Sequence, residues 1–154
     1  AESLFTTYDN ALNERELKGK GVLSYMSSHD DQDSFDRHRK NTFENAFKLM
    51  MVPGGVQIYY GDELARPMYE KGAFGDANMR TFMNWSDLKH NSDTQDLLAH
   101  WQKLGVFRQT QDAVGSGKHT LLNKSPYIFK RVTKGGNAVV VAKDLEKGPK
   151  SISV

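Results

Sequence analysis

The stretch Pro53-Gly54-Gly55-Val56-Gln57-Ile58-Tyr59-Tyr60-Gly61-Asp62-Glu63 decides how the rest of the chain is interpreted. Its opening Pro-Gly-Gly ends a helix, because proline lacks an amide hydrogen and glycine favours turns. The β-prone residues 56–60 predict a short strand that is buried on both faces. Residues 61–63, which follow at once, place a glycine and two carboxylates at the carboxyl end of that strand.

Two helices and one more strand precede this stretch. Apolar residues at helical spacing predict a helix over residues 3–16 and a second over residues 38–52. The run Gly21-Val22-Leu23-Ser24-Tyr25-Met26 predicts another strand buried on both faces. The helical stripes are Leu4, Tyr8, Ala11 and Leu12 in the first helix, and Phe43, Ala46, Phe47, Met50 and Met51 in the second.

The pattern changes after residue 109. Residues 64–91 show no clear period, and a third helix is predicted to begin near Ser92 with a Ser92-x-x-Gln95 capping box. Its apolar stripe is Leu97, Leu98, Trp101 and Leu104. Antiparallel strands are predicted over residues 121–122, 127–133 and 138–142. We therefore expect an α/β domain over residues 1–112 and the beginning of an all-β domain over residues 113–154.

The two predicted buried strands recur with a regular spacing. Asp30 and Asp62 each lie just past one of these strands, 32 positions apart. A (β/α)8 barrel has a repeat of roughly 31 residues, and a doubly wound open sheet permits the same spacing. Both folds bind ligands beyond the carboxyl ends of their strands, so polar side chains at these places are candidates for a site in either fold.

The composition is that of a globular protein, with 38% hydrophobic and 26% charged residues. A formal net charge of +2 gives no reason to expect nucleic acid or an anionic membrane as a partner. The absence of cysteine excludes disulfides and thiolate sites, and no apolar run is long enough for a membrane span. We find no signal peptide at the start of the sequence.

The segment Ser27-Ser28-His29-Asp30 carries the strongest chemical signal. An imidazole can donate a hydrogen bond to a sugar hydroxyl, and a carboxylate can accept from hydroxyls and stabilise positive charge. Glycoside cleavage passes through an oxocarbenium-like state, which a nearby carboxylate favours. The alternative is that Asp30 caps the next helix and His29 is an ordinary polar residue of the loop.

Four segments, in this order, resemble the α-amylase family of glycoside hydrolases. Ser24-Tyr25-Met26-Ser27-Ser28-His29-Asp30 is similar to the end of the family's seventh barrel strand, and residues 53–63 are similar to its eighth. Arg80-Thr81-Phe82-Met83-Asn84-Trp85 resembles the family's Arg-x-x-Met-x-Trp stretch, and residues 97–109 resemble the helix before its C-terminal β domain. The resemblance implies the C-terminal portion of a (β/α)8 TIM barrel, strands 7 and 8 with their helices, followed by an antiparallel β domain.

The resemblance also implies roles for particular residues. Asp30 would be the third active-site carboxylate, a transition-state stabiliser, and His29 the adjacent substrate-binding imidazole. Asp62 and Glu63 match the family motif, and we interpret them as mainly architectural. Ser28 stands where the family commonly has Asn, and Arg37 is the nearest candidate for the Arg that many members carry after the Asp.

The family's nucleophile and acid/base come from its fourth and fifth barrel strands, which would precede residue 1, so neither is expected in this chain. The implied substrate is an α-glucan such as starch, glycogen or a maltooligosaccharide. No cofactor is expected in this chain, and calcium would belong to the upstream part. The rest of the barrel or another copy of the chain would complete the fold. A secreted, periplasmic or surface-attached location is preferred to a cytoplasmic one.

Several alternatives remain open. The protein could be a glucan transferase of the same family, or a non-catalytic barrel relative that binds carbohydrate or a partner. Asp31-x-Asp33-x-x-Asp36 could suggest a calcium loop, but it lacks the glycine and glutamate of such a loop, and a solvated acidic loop is the preferred interpretation. Tyr69, Phe74 and the substrate-binding candidate Trp85 could be sugar-stacking platforms or an internal core of the long loop.

Overall fold

The computed structural model describes residues 2–14, 17–143, 145 and 151. Its helices and strands form two compact units: the described parts of Ala1–Val22, Met51–Gly55 and Arg108–Val154 make the first, and Leu23–Met50 with Val56–Phe107 make the second. The elements in chain order are α1 (Glu2–Glu14), β1 (Leu23–Ser24), α2 (Thr42–Met51), β2 (Gly55–Val56), α3 (Trp85–His90), α4 (Ser92–Thr110), α5 (Ala113–Ser116), β3 (Lys118–Asn123), β4 (Tyr127–Val132) and β5 (Ala138–Lys143).

The first unit contains the antiparallel sheet predicted after residue 109. Strand β4 lies in the middle, with Phe129 opposite Leu121 of β3 and Val141 of β5. Helix α1 packs on this sheet, and its fully buried Phe5 contacts the ring of Phe129 at 5.4 Å between centroids. The prediction of three antiparallel strands is therefore confirmed, although β3 extends over six residues where two were expected.

The buried face of α1 differs from the predicted stripe. Phe5 and Asp9 are buried, whereas Leu4, Tyr8, Ala11 and Leu12 are at most half-buried. Asp9 is buried because its Oδ1 accepts the backbone amide of His119 at 2.8 Å. An apolar pattern cannot foresee a buried carboxylate that is satisfied by a strand more than a hundred residues away, and this is why the predicted face was wrong. Residues 15 and 16 of the predicted helix lie outside the described residues.

His119 lies in the core of the first unit beside a buried cation. Its side chain lies next to Arg131, whose Nε donates to Nδ1 at 3.4 Å, and the Tyr127 hydroxyl is 3.4 Å from Nε2. Burial, reinforced by the positive charge of Arg131, lowers the pKa of His119 to about 4. The imidazole is therefore neutral in the folded protein at neutral pH, whereas the unfolded chain protonates it below a pKa of about 6.5.

We expect this unit to lose stability as the pH falls from about 6.5 towards 4, because the unfolded state then binds a proton that the folded state rejects. The loss should reach about 2 kcal/mol at pH 5. Urea unfolding at pH 7.5 and pH 5, followed by circular dichroism, measures it. His119→Gln should remove most of the difference. An equal pH dependence in the variant and the wild type would assign the effect to other groups.

The short strands β1 and β2 run parallel to each other. Gln57 N donates to Ser24 O at 2.8 Å, and Gly55 N donates to Val22 O at 2.7 Å. Each strand spans two residues, shorter than the predicted 21–26 and 56–60. Leu23 is 58% exposed and Ile58 is 45% exposed, so the expectation of burial on both faces is wrong for the described chain. The reason is that the sheet has two strands among the described residues, so an apolar face lacks cover.

Helix α2 is four residues shorter at its start than predicted, because a turn over residues 35–38 is followed by Arg39 at a φ of 53°, which is not helical. Helix α4 begins at Ser92 as expected, but Asn91 caps it: Asn91 Oδ1 accepts the amides of Asp93 and Thr94 at 2.9 and 3.3 Å. The Ser92–Gln95 capping box is therefore wrong, since the side-chain amide of Gln95 donates to Leu88 O instead. Leu97 and Trp101 are buried as predicted, whereas Leu98 and Leu104 are half-buried.

Three short elements lie at the start of the region without a clear period and within it. Two 3₁₀ helices span Asp62–Leu64 and Gly75–Arg80, and α3 follows. Such short elements lack the repeated turns that would make a helical period visible in the sequence. Among the described residues, no helix has both the length and the apolar character needed to cross a bilayer.

Candidate functional site

A loop over residues 27–36, here called the His29 loop, follows β1 and begins at a buried serine. Ser27 is fully buried, and its hydroxyl donates to Asp62 Oδ1 at 2.5 Å. Asp62 is 2% exposed and forms an ion pair with Arg39 at 2.9 Å between Nη1 and Oδ1. The start of the His29 loop is therefore joined to the segment after β2 by a buried charged group.

His29 and Asp30 are exposed above this buried base. Their side chains are 66% and 61% exposed, and His29 Nε2 lies 3.5 Å from Asp30 Oδ2. The Ser28 hydroxyl donates to Asp30 Oδ1 at 3.0 Å. This arrangement presents a hydrogen-bond donor and a carboxylate side by side to solvent, as a sugar-binding subsite requires.

Asp36, rather than Asp30, supports the turn that leads into α2. Its carboxylate oxygens accept the backbone amides of Lys40 and Asn41, each at 2.8 Å, and the side-chain amide of Asn45 at 2.8 Å. The alternative in which Asp30 caps the next helix is therefore wrong. Asp30 keeps its carboxylate at the surface of the loop.

The segment Gly75–Arg80 contacts the His29 loop from the side. Arg80 Nε donates to the carbonyl oxygen of His29 at 3.0 Å. Asp76 accepts from the Gln32 side chain at 3.3 Å and lies 3.8 Å from Arg80 Nη2. The long region after β2 is thus in direct contact with the backbone that carries His29.

Arg66 organises this long region from inside. Its guanidinium is fully buried, donates to the carbonyl oxygens of Tyr60 and Met79 at 3.0 and 3.1 Å, and stacks 4.0 Å from the centroid of the Tyr60 ring. Burial lowers the pKa of Arg66 from its usual value. Gly61 packs against it, since a Cβ at this glycine would lie 2.5 Å from the Arg66 side chain. The backbone amide of Gly61 donates to Glu63 Oε2 at 2.9 Å.

The other sequence candidates lie in different surroundings. Arg37 Nη1 donates to the backbone carbonyl of Gln32 at 3.2 Å, so Arg37 holds the loop backbone. Trp85 is the first residue of α3 and is 61% exposed, and the aromatic side chains of Tyr69 and Phe74 are more exposed still. The interpretation of these three rings as an internal core of the loop is therefore wrong in the described chain.

The acidic residues of the His29 loop do not converge on a common point. Asp31 Oδ1 accepts the amide of Asp33, and the Asp36 oxygens accept the amides at the start of α2. Within residues 2–14, 17–143, 145 and 151 the structure contains no group of three or more His, Cys, Asp or Glu that could hold a metal ion.

Sequence reasoning did not identify Ser27, Arg39 and Arg66 as residues that support the site. Arg66 and Arg39 follow the motif segments by a few positions and carry no periodic signal. Arg80 is the first residue of the Arg-x-x-Met-x-Trp stretch. Its contact with His29 joins residues 51 positions apart, and no local sequence pattern indicates such a contact. The sequence did contain one indication of the buried contacts. Asp62 comes just after an apolar strand, and a carboxylate that is buried there requires a hydrogen-bond or charged partner.

The chain is similar to proteins of known activity. It is 40% identical over 126 residues to the "Periplasmic alpha-amylase" of Escherichia coli (strain K12), an alignment that covers 81% of this chain and 18% of that protein. The chain thus spans about a fifth of the length of this curated relative. No protein-family model matches the chain.

Three solved structures share the fold. A structure titled as AmyP in complex with maltose matches with a TM-score of 0.58 at 16% identity, over 84% of this chain and 31% of that one. A Bacillus licheniformis trehalose-6-phosphate hydrolase matches with a TM-score of 0.56 at 16% identity, over 84% and 35%. A cyclomaltodextrinase matches with a TM-score of 0.52 at 24% identity, over 78% and 21%.

Proposed function

Because this chain belongs to the α-amylase family of glycoside hydrolases, we propose that it is the C-terminal part of a retaining enzyme that cleaves α-glucosidic bonds. The observation that carries the proposal is the solvent-facing pair of His29 and Asp30, which follows β1 in a segment that resembles the family. The 40% identity to a periplasmic alpha-amylase supports it. On this proposal, residues 1–112 contain strands 7 and 8 of a (β/α)8 barrel with their helices, and residues 113–154 begin the C-terminal β domain.

Asp30 stabilises the transition state in this proposal. Positive charge develops on the sugar ring as the glycosidic bond breaks, and an anionic carboxylate beside the ring lowers the energy of that state more than that of the substrate. His29, 3.5 Å away, donates a hydrogen bond to a hydroxyl of the same sugar. The carboxylate nucleophile and the acid/base come from an upstream part of the longer protein, since a retaining glycosidase needs both.

The substrate class proposed is an α-glucan. The relatives named above include an alpha-amylase, a protein in complex with maltose and a cyclomaltodextrinase, so maltooligosaccharides are the first substrates to test. The periplasmic location of the first relative supports an extracytoplasmic site of action. Any calcium would bind the upstream part, and the rest of the barrel is the partner that completes the fold.

The direct test is an assay of the protein that contains this chain together with its upstream sequence. Release of reducing ends from maltoheptaose, with chromatography of the products, separates hydrolysis from glucan transfer. Hydrolysis with retention at the anomeric carbon, followed by NMR of the fresh product, is the expected result. Binding of maltoheptaose without turnover would overturn the enzymatic proposal in favour of a non-catalytic carbohydrate-binding relative.

Trp85 supplies a further test, because an exposed indole can stack on the apolar face of a pyranose. We expect Trp85→Ala to weaken maltoheptaose binding by about tenfold with little change in Tm, since the ring is 61% exposed. Isothermal titration calorimetry and thermal unfolding measure the two effects. Val106→Ala, which removes an exposed apolar side chain of α4, should change neither. A large fall in Tm with unchanged affinity would make Trp85 a structural residue.

A further inference from the structure

A buried polar chain runs beneath the exposed pair of His29 and Asp30. It starts at the Ser27 hydroxyl, passes through Asp62 to Arg39, and ends where Arg39 Nε donates to the carbonyl oxygen of Arg66 at 2.9 Å. Ser27 and Asp62 are 35 positions apart in the sequence, so the buried polar chain joins the two segments that follow β1 and β2.

The buried polar chain contributes little to the stability of the fold. A buried ion pair gains little over apolar residues of the same size, because both charges must be desolvated. Here Asp62 Oδ2 and Arg39 Nη2 are buried and have no hydrogen-bond partner within the described part of the protein. A small cavity lined by both residues lies beside Met26 and Phe35, so the surroundings are not tightly packed either. Stability alone therefore does not account for the arrangement.

The buried polar chain fixes the position of the first residue of the His29 loop. Ser27 lies two positions before His29 and three before Asp30 in the sequence, and its hydroxyl is held at 2.5 Å by a carboxylate that is itself held by Arg39. The loop closes behind it through the amide of Phe35, which donates to Met26 O at 2.9 Å. The backbone between these anchors carries the exposed pair.

We propose that Asp62 is a positioning residue, which acts through Ser27 to hold His29 and Asp30 in the geometry that stabilises the transition state on the sugar. The inference rests on the proposed function for its effect on catalysis, but the mechanical coupling from Asp62 through Ser27 to the loop can be measured by itself. A catalytic carboxylate displaced by about 1 Å can lose on the order of 100-fold in rate, so small movements of the loop matter.

The test compares Ser27→Ala, Asp62→Asn and the double variant in the longer protein that contains this chain. Hydrogen exchange of the segment 27–36, followed by mass spectrometry, should accelerate in both single variants, and the double variant should exchange no faster than the more affected single one. Thr94→Val, which also removes a buried hydroxyl, is the matched control and should leave this segment unchanged.

Kinetics on maltoheptaose supply the second readout. We expect kcat to fall about tenfold in Ser27→Ala and Asp62→Asn while KM changes by less than about twofold, because the loss lies in the transition state. If the wild type shows no turnover, the proposed function fails, but the exchange experiment still tests the coupling. Unchanged exchange over 27–36 in Ser27→Ala, which removes one hydroxyl and keeps the Asp62–Arg39 pair, would overturn the positioning role whatever the activity.

Discussion

In the longer enzyme that we propose, Asp30→Asn should lower kcat by about 100-fold or more while KM changes much less, because the lost charge acts mainly on the transition state. The amide keeps the size of the carboxylate and can still accept the Ser28 hydroxyl, which donates at 3.0 Å in the wild type. The expected loss therefore comes from the charge and not from a change in packing. Steady-state kinetics on maltoheptaose, with thermal unfolding as a check on the fold, measure it.

Asp33→Asn is the matched control, since it removes a second exposed carboxylate from the same loop, three positions further on. Its kcat should stay within about twofold of the wild type, because exposed surface charges contribute little. A near-normal kcat in Asp30→Asn would contradict the assignment of Asp30. An equal loss in both variants would show that the net charge of the loop, and not Asp30 itself, affects the reaction.

The polypeptide of residues 1–154, purified by itself, should show no hydrolysis of maltoheptaose above background. The two further carboxylates that a retaining mechanism requires are proposed to lie upstream, so the chemical step has no nucleophile. The chain should also self-associate, because Leu23, Tyr25, Ile58 and Tyr60 along the paired strands are 40 to 58% exposed. A fluorogenic maltooligosaccharide assay and multi-angle light scattering test the two expectations.

Adding the upstream polypeptide, expressed separately, is the complementary arm of this experiment. Recovery of activity together with a heterodimeric mass would support the proposal that the upstream part covers the exposed strands. Turnover by a monomer of the chain alone would contradict both the missing carboxylates and the assignment of the strands to a barrel.

Helices α2 and α4 were predictable because their apolar residues recur at helical spacing, and both overlap the predicted ranges. Strands β4 and β5 match the predicted strands to within one residue, whereas β3 is longer than the two residues expected. The strands near residues 23 and 56 were predicted too long. An apolar run indicates what a strand needs for burial, whereas its length in the structure depends on the strands that pair with it.

The candidate site was predictable at its surface and not at its base. His29 and Asp30 were candidates by their chemistry and by their place after a strand, and the family resemblance supplied their roles. The structure shows them exposed and adjacent. The buried contacts of Ser27, Asp62 and Arg66 join residues that are far apart in the sequence, and no local pattern records them. The cap of α4 was missed for a different reason, since Asn91 and Ser92 are both good capping residues and only the geometry distinguishes them.

The close contact between Gly61 and Arg66 restricts evolution at position 61. Gly61 has a φ of 86°, and a Cβ there would lie 2.5 Å from the arginine side chain. An alanine at 61 would meet both a steric clash and an unfavourable backbone conformation. A smaller residue at 66 would not remove the clash, because the Cβ atom of Arg66 is itself 2.5 Å from the added Cβ. Related sequences that share this backbone should therefore keep glycine at 61, whether or not they keep arginine at 66.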